Sequence, residues 1–209
     1  MSTDRSKDPF PSFAAAADAV LDAPSELAHR LLTSLLQAEE RAERARLRAE
    51  RAEAEASTDV LTGACSRRYW EQVLDGEERR CARYGHHACV VSVDLDELKS
   101  VNDAGGHGAG DALLRATARA LGTVTRATDV VARVGGDEFA VLAVDTDLVT
   151  GRVLVGRIAE ALRAAGVSAS VGLAERDPEA GLDAAWAEAD HRMYAAKRRR
   201  HAAAAAAAV

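Results

Sequence analysis

Residues 130 to 144, VVARVGGDEFAVLAV, carry the pattern that decides the fold: an apolar run, a Gly135-Gly136 pair, two carboxylates, and a second apolar run. Apolar stretches of this length separated by Gly-Gly predict two strands joined by a tight turn, because glycine reaches the positive φ angles that such turns use. That accounts for the glycines but not for Asp137 and Glu138. Adjacent carboxylates at a hairpin tip repel one another unless a cation offsets them, as happens in phosphoryl-transfer sites that employ metal ions.

A second acidic stretch lies upstream. Residues 88 to 94, ACVVSVD, predict a buried Val-rich strand, and Asp94-Leu95-Asp96 leaves its end. A carboxylate at a strand exit is held by the sheet behind it while its oxygens face the loop. That suits a hard cation, Mg²⁺ or Mn²⁺, with phosphate oxygens filling its remaining positions. Placed beside Asp137 and Glu138 on a neighbouring strand, Asp94 would complete a carboxylate cage. A calcium-binding EF-hand does not fit, since Leu98 and Lys99 stand where that loop needs an oxygen ligand and a glycine.

Around these strands the pattern alternates. Helices are predicted at 67–84, around 113–124, at 152–165 and at 182–198, with a further strand at 167–174. The fold class is therefore α/β, a central mixed sheet containing an antiparallel hairpin and flanked by helices. A long N-terminal helix precedes it: from Ser25, a plausible N-cap after Pro24, to Ala56 the chain has neither Gly nor Pro and is dense in Ala, Leu, Glu and Arg. Leu31, Leu35, Ala38, Ala42, Ala45, Ala49, Ala52 and Ala56 recur at alternating spacings of four and three, a heptad seam along which two copies can pair. A solvated single Ala-rich helix is the other reading, because an alanine seam buries little area per layer. The expected organisation is a flexible leader at 1–24, a coiled-coil segment at 25–56, a catalytic domain at 57–200 and a low-complexity tail at 201–209.

The net charge of -6, with basic and acidic residues interspersed, argues against nucleic acid as a partner. Cys65, Cys81 and Cys89 are an odd set without CxxC spacing, which suits buried thiols in a reducing cytosol. With neither a signal-peptide pattern nor an apolar run of membrane-spanning length, the expectation is a cytoplasmic protein with no membrane association. Adjacent His86 and His87 cannot easily share one ion and read as a solvated turn.

Taken together, the motifs resemble one family. RVGGDEF at 133–139 looks like the signature of the GGDEF domain, the diguanylate cyclases, which make cyclic di-GMP from two GTP. Asp59-Val60-Leu61-Thr62-Gly63 with Arg67-Arg68-Tyr69 resembles the family's DxLTGLxNRR opening. Residues 94–99 with Asn102-Asp103 resemble DxDxFKxxND, and 106–111, GHGAGD, resemble GHxxGD. Residues 169–172 resemble the SxG strand, and 189–197, ADHRMYAAK, the closing ADxALYxAK helix. The resemblance spans 59 to about 200 and implies a nucleotidyl-cyclase-like fold. It departs from the pattern at Leu98, Ala64, Ser66 and Gly105, none of which removes a ligand.

The resemblance further implies that Asp94 and Glu138 bind metal, with the Leu95 carbonyl contributing and Asp137 assisting. It makes Asn102 and Asp111 the guanine readers and Lys99 and Lys197 the triphosphate holders, with Gly135 and Gly136 leaving room for the nucleotide. The implied catalyst is a homodimer, since each domain holds one GTP. Arg126-Ala127-Thr128-Asp129 matches the offset of the family's RxxD inhibitory site for the product, cyclic di-GMP; by itself RxxD also fits an exposed charged loop. A catalytically silent receptor for GTP or cyclic di-GMP is the competing reading, against which the intact acidic residues and Asn102 argue.

Overall fold

The computed structural model describes residues 25–207. The leader expected at 1–24 lies outside the described residues, as do the side chains of the seam at Ala49, Ala52 and Ala56. The chain divides into two compact units, 1–53 and 54–209.

Within the described part of the first unit, helix α1 (Ser25–Ala56) runs unbroken, as its lack of Gly and Pro predicts. Arg44 donates to Glu40 one turn earlier and Arg46 pairs with Glu43. Leu27, Leu31, Leu32, Leu36 and Leu47 are exposed. No helix among the described residues is long and apolar enough to cross a membrane.

The second unit is a sheet with helices on both faces. Its elements are β1 (Cys65–Ser66), α2 (Arg67–Tyr84), β2 (Ala88–Leu95), α3 (Leu98–Gly105), α4 (His107–Val124), β3 (Val130–Arg133), β4 (Glu138–Val144), α5 (Leu148–Ala164), β5 (Ala169–Glu175) and α6 (Gly181–Ala207). The strand order is β1-β3-β4-β2-β5, with β1 parallel to β3 and every other pairing antiparallel. β2 lies inside the sheet, between β4 and β5, and is buried along its whole length.

Alternation along β2 and β4 assigns each residue to a face. Cys89, Val91, Val93 and Leu95 with Phe139, Val141 and Ala143 pack against α4 and α5 through Leu114, Leu121, Leu154 and Ile158. Val90, Ala140 and Leu142 pack the opposite way, against Trp70 and Leu74 of α2 and Leu182, Ala185 and Ala189 of α6. Each fully buried Val, Leu or Phe contributes about 1.5–3 kcal/mol, so both layers supply a full core. α6 approaches β5 closely at Gly172, where a Cβ would stand 2.0 Å from the Ala189 carbonyl.

Several boundaries differ from expectation. α5 begins at Leu148, because the Asp147 side chain accepts from the Thr150 amide and caps it there. α6 continues through the Ala-rich tail to Ala207. α3 was not expected; Gly106, at φ 74°, ends it and opens α4. All three cysteines are free, with Cys81 and Cys89 buried.

Glu78 of α2 ties three elements together. Arg176, following β5, donates to it through Nε at 2.8 Å and Nη2 at 2.5 Å, and the Leu182 amide at the start of α6 donates at 2.8 Å. Donation from Arg176 holds the Glu78 carboxyl below its ordinary value against the opposing effect of burial. A depressed folded pKa gives stability that is complete above the unfolded value and lost as pH falls through the folded one. Glu78→Gln is therefore expected to cost about 2 kcal/mol at pH 7 in urea titrations. The gap to wild type should narrow below about pH 4; an undiminished gap there would refute the assignment.

Candidate active site

The pleat that sorts the core also places the acids. Asp94 shares its face with Val90 and Ser92, and Glu138 shares its face with Ala140 and Leu142, so both point toward α2 and α6. The register sets Asp94 directly opposite Glu138 on the neighbouring strand, which brings their Cβ atoms to about 5 Å. The Leu95 amide donates to the Asp137 carbonyl at 3.1 Å, locking the two acidic stretches together just beyond the ladder. The two acidic stretches seen in the sequence are thus one site.

The turn between β3 and β4 is held by arginines. Arg133 donates to the Gly136 carbonyl through Nε at 3.2 Å and Nη2 at 2.6 Å, while its Nη1 reaches both Asp59 oxygens at 3.4 and 3.3 Å. Arg67 Nη1 donates to the Val134 carbonyl at 3.3 Å. Asp59 is itself fixed by donation from the Thr62 amide and hydroxyl. Sequence reasoning quoted Asp59, Arg67 and Arg133 but gave them no task. Only Arg133 adjoins the turn in sequence; Asp59 and Arg67 reach it through the fold.

The positive φ angles expected of the glycines are absent. Neither Gly135 nor Gly136 has positive φ. Gly135 is required by space, since a Cβ there would stand 2.4 Å from Glu138 Oε2. At Gly136 a Cβ would meet nothing within 4 Å, leaving the outer side of the turn open.

Charge in the site is only partly balanced. Burial pushes the Asp94 carboxyl above the usual range; donation from Lys197 opposes this, and Asp137 and Asp96 add to it. Glu138 is also raised, by burial first and then by Asp94, Asp190 and Asp137. Lys197, reaching in from α6, places Nζ 2.5 Å from Asp94 Oδ1. Asp96 is occupied elsewhere, accepting from Ser168 and Ser170 and pairing with Arg200 at 3.1 Å.

The expected cage is not closed: among the described residues, no three His, Cys, Asp or Glu side chains gather to hold an ion. Unneutralised carboxylates repel, and Asp94 turns to the Lys197 ammonium instead. The donor set nonetheless fits a divalent ion. Mg²⁺ is commonly held by one or two carboxylates together with substrate phosphates, and Asp94 and Glu138 form such a pair.

The expected guanine readers come from α3 and α4. A Cβ at Gly110 would sit 2.1 Å from Asn102 Oδ1, so the missing side chain next to Asp111 is what admits Asn102. Asn102 Oδ1 is buried without a hydrogen-bond partner, an orphaned acceptor beside the Asp111 helix turn. Asp111 lies 3.8 Å from Arg115 and is half-exposed, and Lys99 on α3 is exposed.

Away from this site, Arg126 and Asp129 line a small cavity of about 110 Å³. Asp129 also closes its own loop, accepting from the Arg126 amide at 2.7 Å and the Val144 amide at 3.3 Å. Arg157 of α5 lines the same cavity. No local motif marks it, because only the fold brings α5 beside that loop.

Comparison with known proteins agrees with this geometry. The family model described as "Diguanylate cyclase, GGDEF domain" matches residues 56–202. A protein of Escherichia coli K12 named probable diguanylate cyclase DgcC is 34% identical over 149 residues, covering 67% of this chain and 40% of that protein. The chain thus spans less than half of that relative's length. The solved coiled coil and GGDEF domain of DgcB from Caulobacter crescentus, in complex with c-di-GMP, superposes with a TM-score of 0.71 at 27% identity, covering 80% of this chain and 94% of that one. Diguanylate cyclase SiaD from Pseudomonas aeruginosa, solved with its activator SiaC, gives 0.66 at 29% identity, covering 90% and 76%. With a family model spanning most of its length and the acidic strands in register, the chain belongs to the GGDEF diguanylate cyclase family.

Proposed function

We propose that this chain condenses two GTP molecules into cyclic di-GMP, releasing two pyrophosphates where two catalytic units meet. The observation that carries this reading is the cross-strand pairing of Asp94 with Glu138, bolted by the Leu95 to Asp137 bond. In it, Asp94, Glu138 and the Leu95 carbonyl hold a divalent ion, Mg²⁺ or Mn²⁺, with Asp137 assisting. When bound, such an ion neutralises charge on the transferring phosphoryl group and lowers the pKa of the attacking ribose hydroxyl.

Asp111 accepts from the guanine N1-H and 2-amino groups, and the Asn102 amide addresses the remaining edge. A purine lacking the 2-amino group would leave buried polar atoms unpaired, which is how such a site selects guanine. Lys99 and Lys197 supply compact positive charge to the triphosphate. The open side of Gly136 lets the nucleotide lie against the backbone.

The 3′-hydroxyl of one GTP attacks the α-phosphate of the other, and the same step in the opposite sense closes the ring. Since one unit presents one site, two must face each other, and pairing along α1 raises the effective concentration of each for its partner. The Caulobacter relative with a coiled coil before the same domain supports that arrangement. Arg126 and Asp129 form the product-inhibition site, with Arg157 beside them.

Incubation with GTP and Mg²⁺ should yield cyclic di-GMP by mass spectrometry; GTP bound but unchanged would favour the silent receptor. Glu138→Gln should reduce turnover by on the order of 10²–10³-fold while the circular dichroism spectrum stays native. Retained synthesis would sink the metal assignment. Arg126→Ala should raise the half-inhibitory product concentration roughly tenfold, and an unchanged curve removes the inhibitory role. Leu31→Asp combined with Leu35→Asp should shift the protein to monomer in sedimentation and cut specific activity about a hundredfold at nanomolar protein, with recovery at high concentration. Undiminished activity in the dilute variant would separate α1 from assembly.

A further inference from the structure

Lys197 does more in this structure than wait for phosphate. Its Nζ stands 2.5 Å from Asp94 Oδ1, and the two side chains are only 22% and 10% exposed. The other charges of the cluster have different partners. Arg200 and two serine hydroxyls take Asp96, Arg133 takes Asp59 and the Gly136 carbonyl, and Arg67 binds the Val134 carbonyl. Asp94 pairs with Lys197. A largely buried carboxylate without a counter-charge is costly, so this ammonium is what makes the folded site tolerable before ligands arrive.

The same contact has a consequence for metal loading. An ammonium so close to Asp94 would repel a divalent ion on the same carboxylate and compete with it for the oxygens. A lysine is a point charge on a flexible four-carbon stem and can move between acceptors where a rigid guanidinium fork cannot. We propose that Lys197 is the resident counter-ion of the acidic site: it occupies the metal position on Asp94 and leaves for the incoming phosphate oxygens, so that metal and nucleotide load together and bare metal binds weakly. The coupling is reciprocal, metal favouring nucleotide as much as nucleotide favours metal. This inference rests on the metal-binding reading of Asp94 and Glu138.

The test is Mn²⁺ titration followed by electron paramagnetic resonance, on the full chain, with and without a non-reactive GTP analogue methylene-bridged between its α- and β-phosphates. Without nucleotide, Lys197→Met should bind Mn²⁺ about tenfold more tightly than wild type, the scale of one close charge pair. Lys197→Arg should stay as weak as wild type. Adding the analogue should tighten Mn²⁺ binding to wild type at least about tenfold and to Lys197→Met much less. Arg198→Met removes a neighbouring exposed charge and should change the affinity by less than about twofold.

Equal nucleotide-free affinity in Lys197→Met and wild type, with Asp94→Asn losing the ion, overturns the counter-ion role and leaves the metal reading standing. An equal gain in Arg198→Met overturns it too, reducing the effect to net charge. Mn²⁺ binding to none of the proteins, even with the analogue, removes the metal reading and this inference with it. Should Lys197→Met fail to fold, Lys197→Gln, which keeps a donor for Asp94, is titrated in its place with the same direction expected.

Discussion

The site exists because β2 and β4 pair in one register and no other. A slip by a single residue would carry Asp94 or Glu138 through the sheet to the face covered by α4 and α5, where apolar side chains wait. What forbids the slip is the core. Both strands carry apolar side chains on both faces: Val91, Val93, Leu95, Phe139, Val141 and Ala143 are specified by the helices on one side, and Val90, Ala140 and Leu142 by those on the other. Hydrophobic packing is thus the agent that sets two like charges side by side, against their own electrostatics.

Having gathered acids, the fold answers them with cations drawn from distant segments. Arg133 reaches back to Asp59, Arg200 to Asp96, and Lys197 to Asp94. The arginines act as rigid forks that shape backbone, since Arg133 spans a carboxylate and a turn carbonyl at once. The lysine is the movable member. That division fits a site whose walls must stay fixed while its charge balance changes with each substrate. Glu138, raised above its ordinary value by burial and by Asp94, Asp190 and Asp137 and only partly relieved by Arg67, is where the unmet negative charge collects.

Much of this was legible in the sequence. The apolar runs marked β2 and β4, the Gly-Gly pair marked the turn, and the acidic residues stood out at strand ends. Local pattern could not say that Asp94 would face Glu138, because register between strands distant in sequence is decided by packing. The glycines were assigned to the right place for the wrong reason: Gly135 yields volume to a carboxylate, a requirement invisible until the side chain is placed. α3 was overlooked because eight residues ending in Gly105-Gly106 carry too little periodicity to announce a helix. Arg157 lay beyond any local reading, since it joins Arg126 only across the cavity between α5 and the loop before β3.

The distribution of residues along α1 bears on the pairing proposed for it. Five of its six leucines, Leu27, Leu31, Leu32, Leu35 and Leu36, crowd the first part of the helix, Leu47 falls off the stripe, and the seam from Ala38 onward is alanine. Burying a leucine contributes about 1.5–3 kcal/mol, whereas alanine offers a methyl group and close approach. The grip of a paired helix is therefore concentrated toward its start. Charge pairs in the alanine stretch, such as Glu40 with Arg44, lie within one helix and steady it by about 0.2–0.5 kcal/mol each, adding nothing to the hold between copies. On the proposed pairing, the leucine-rich start of α1 would supply most of the area that two copies can bury, and the alanine stretch would permit close approach while adding little to the hold.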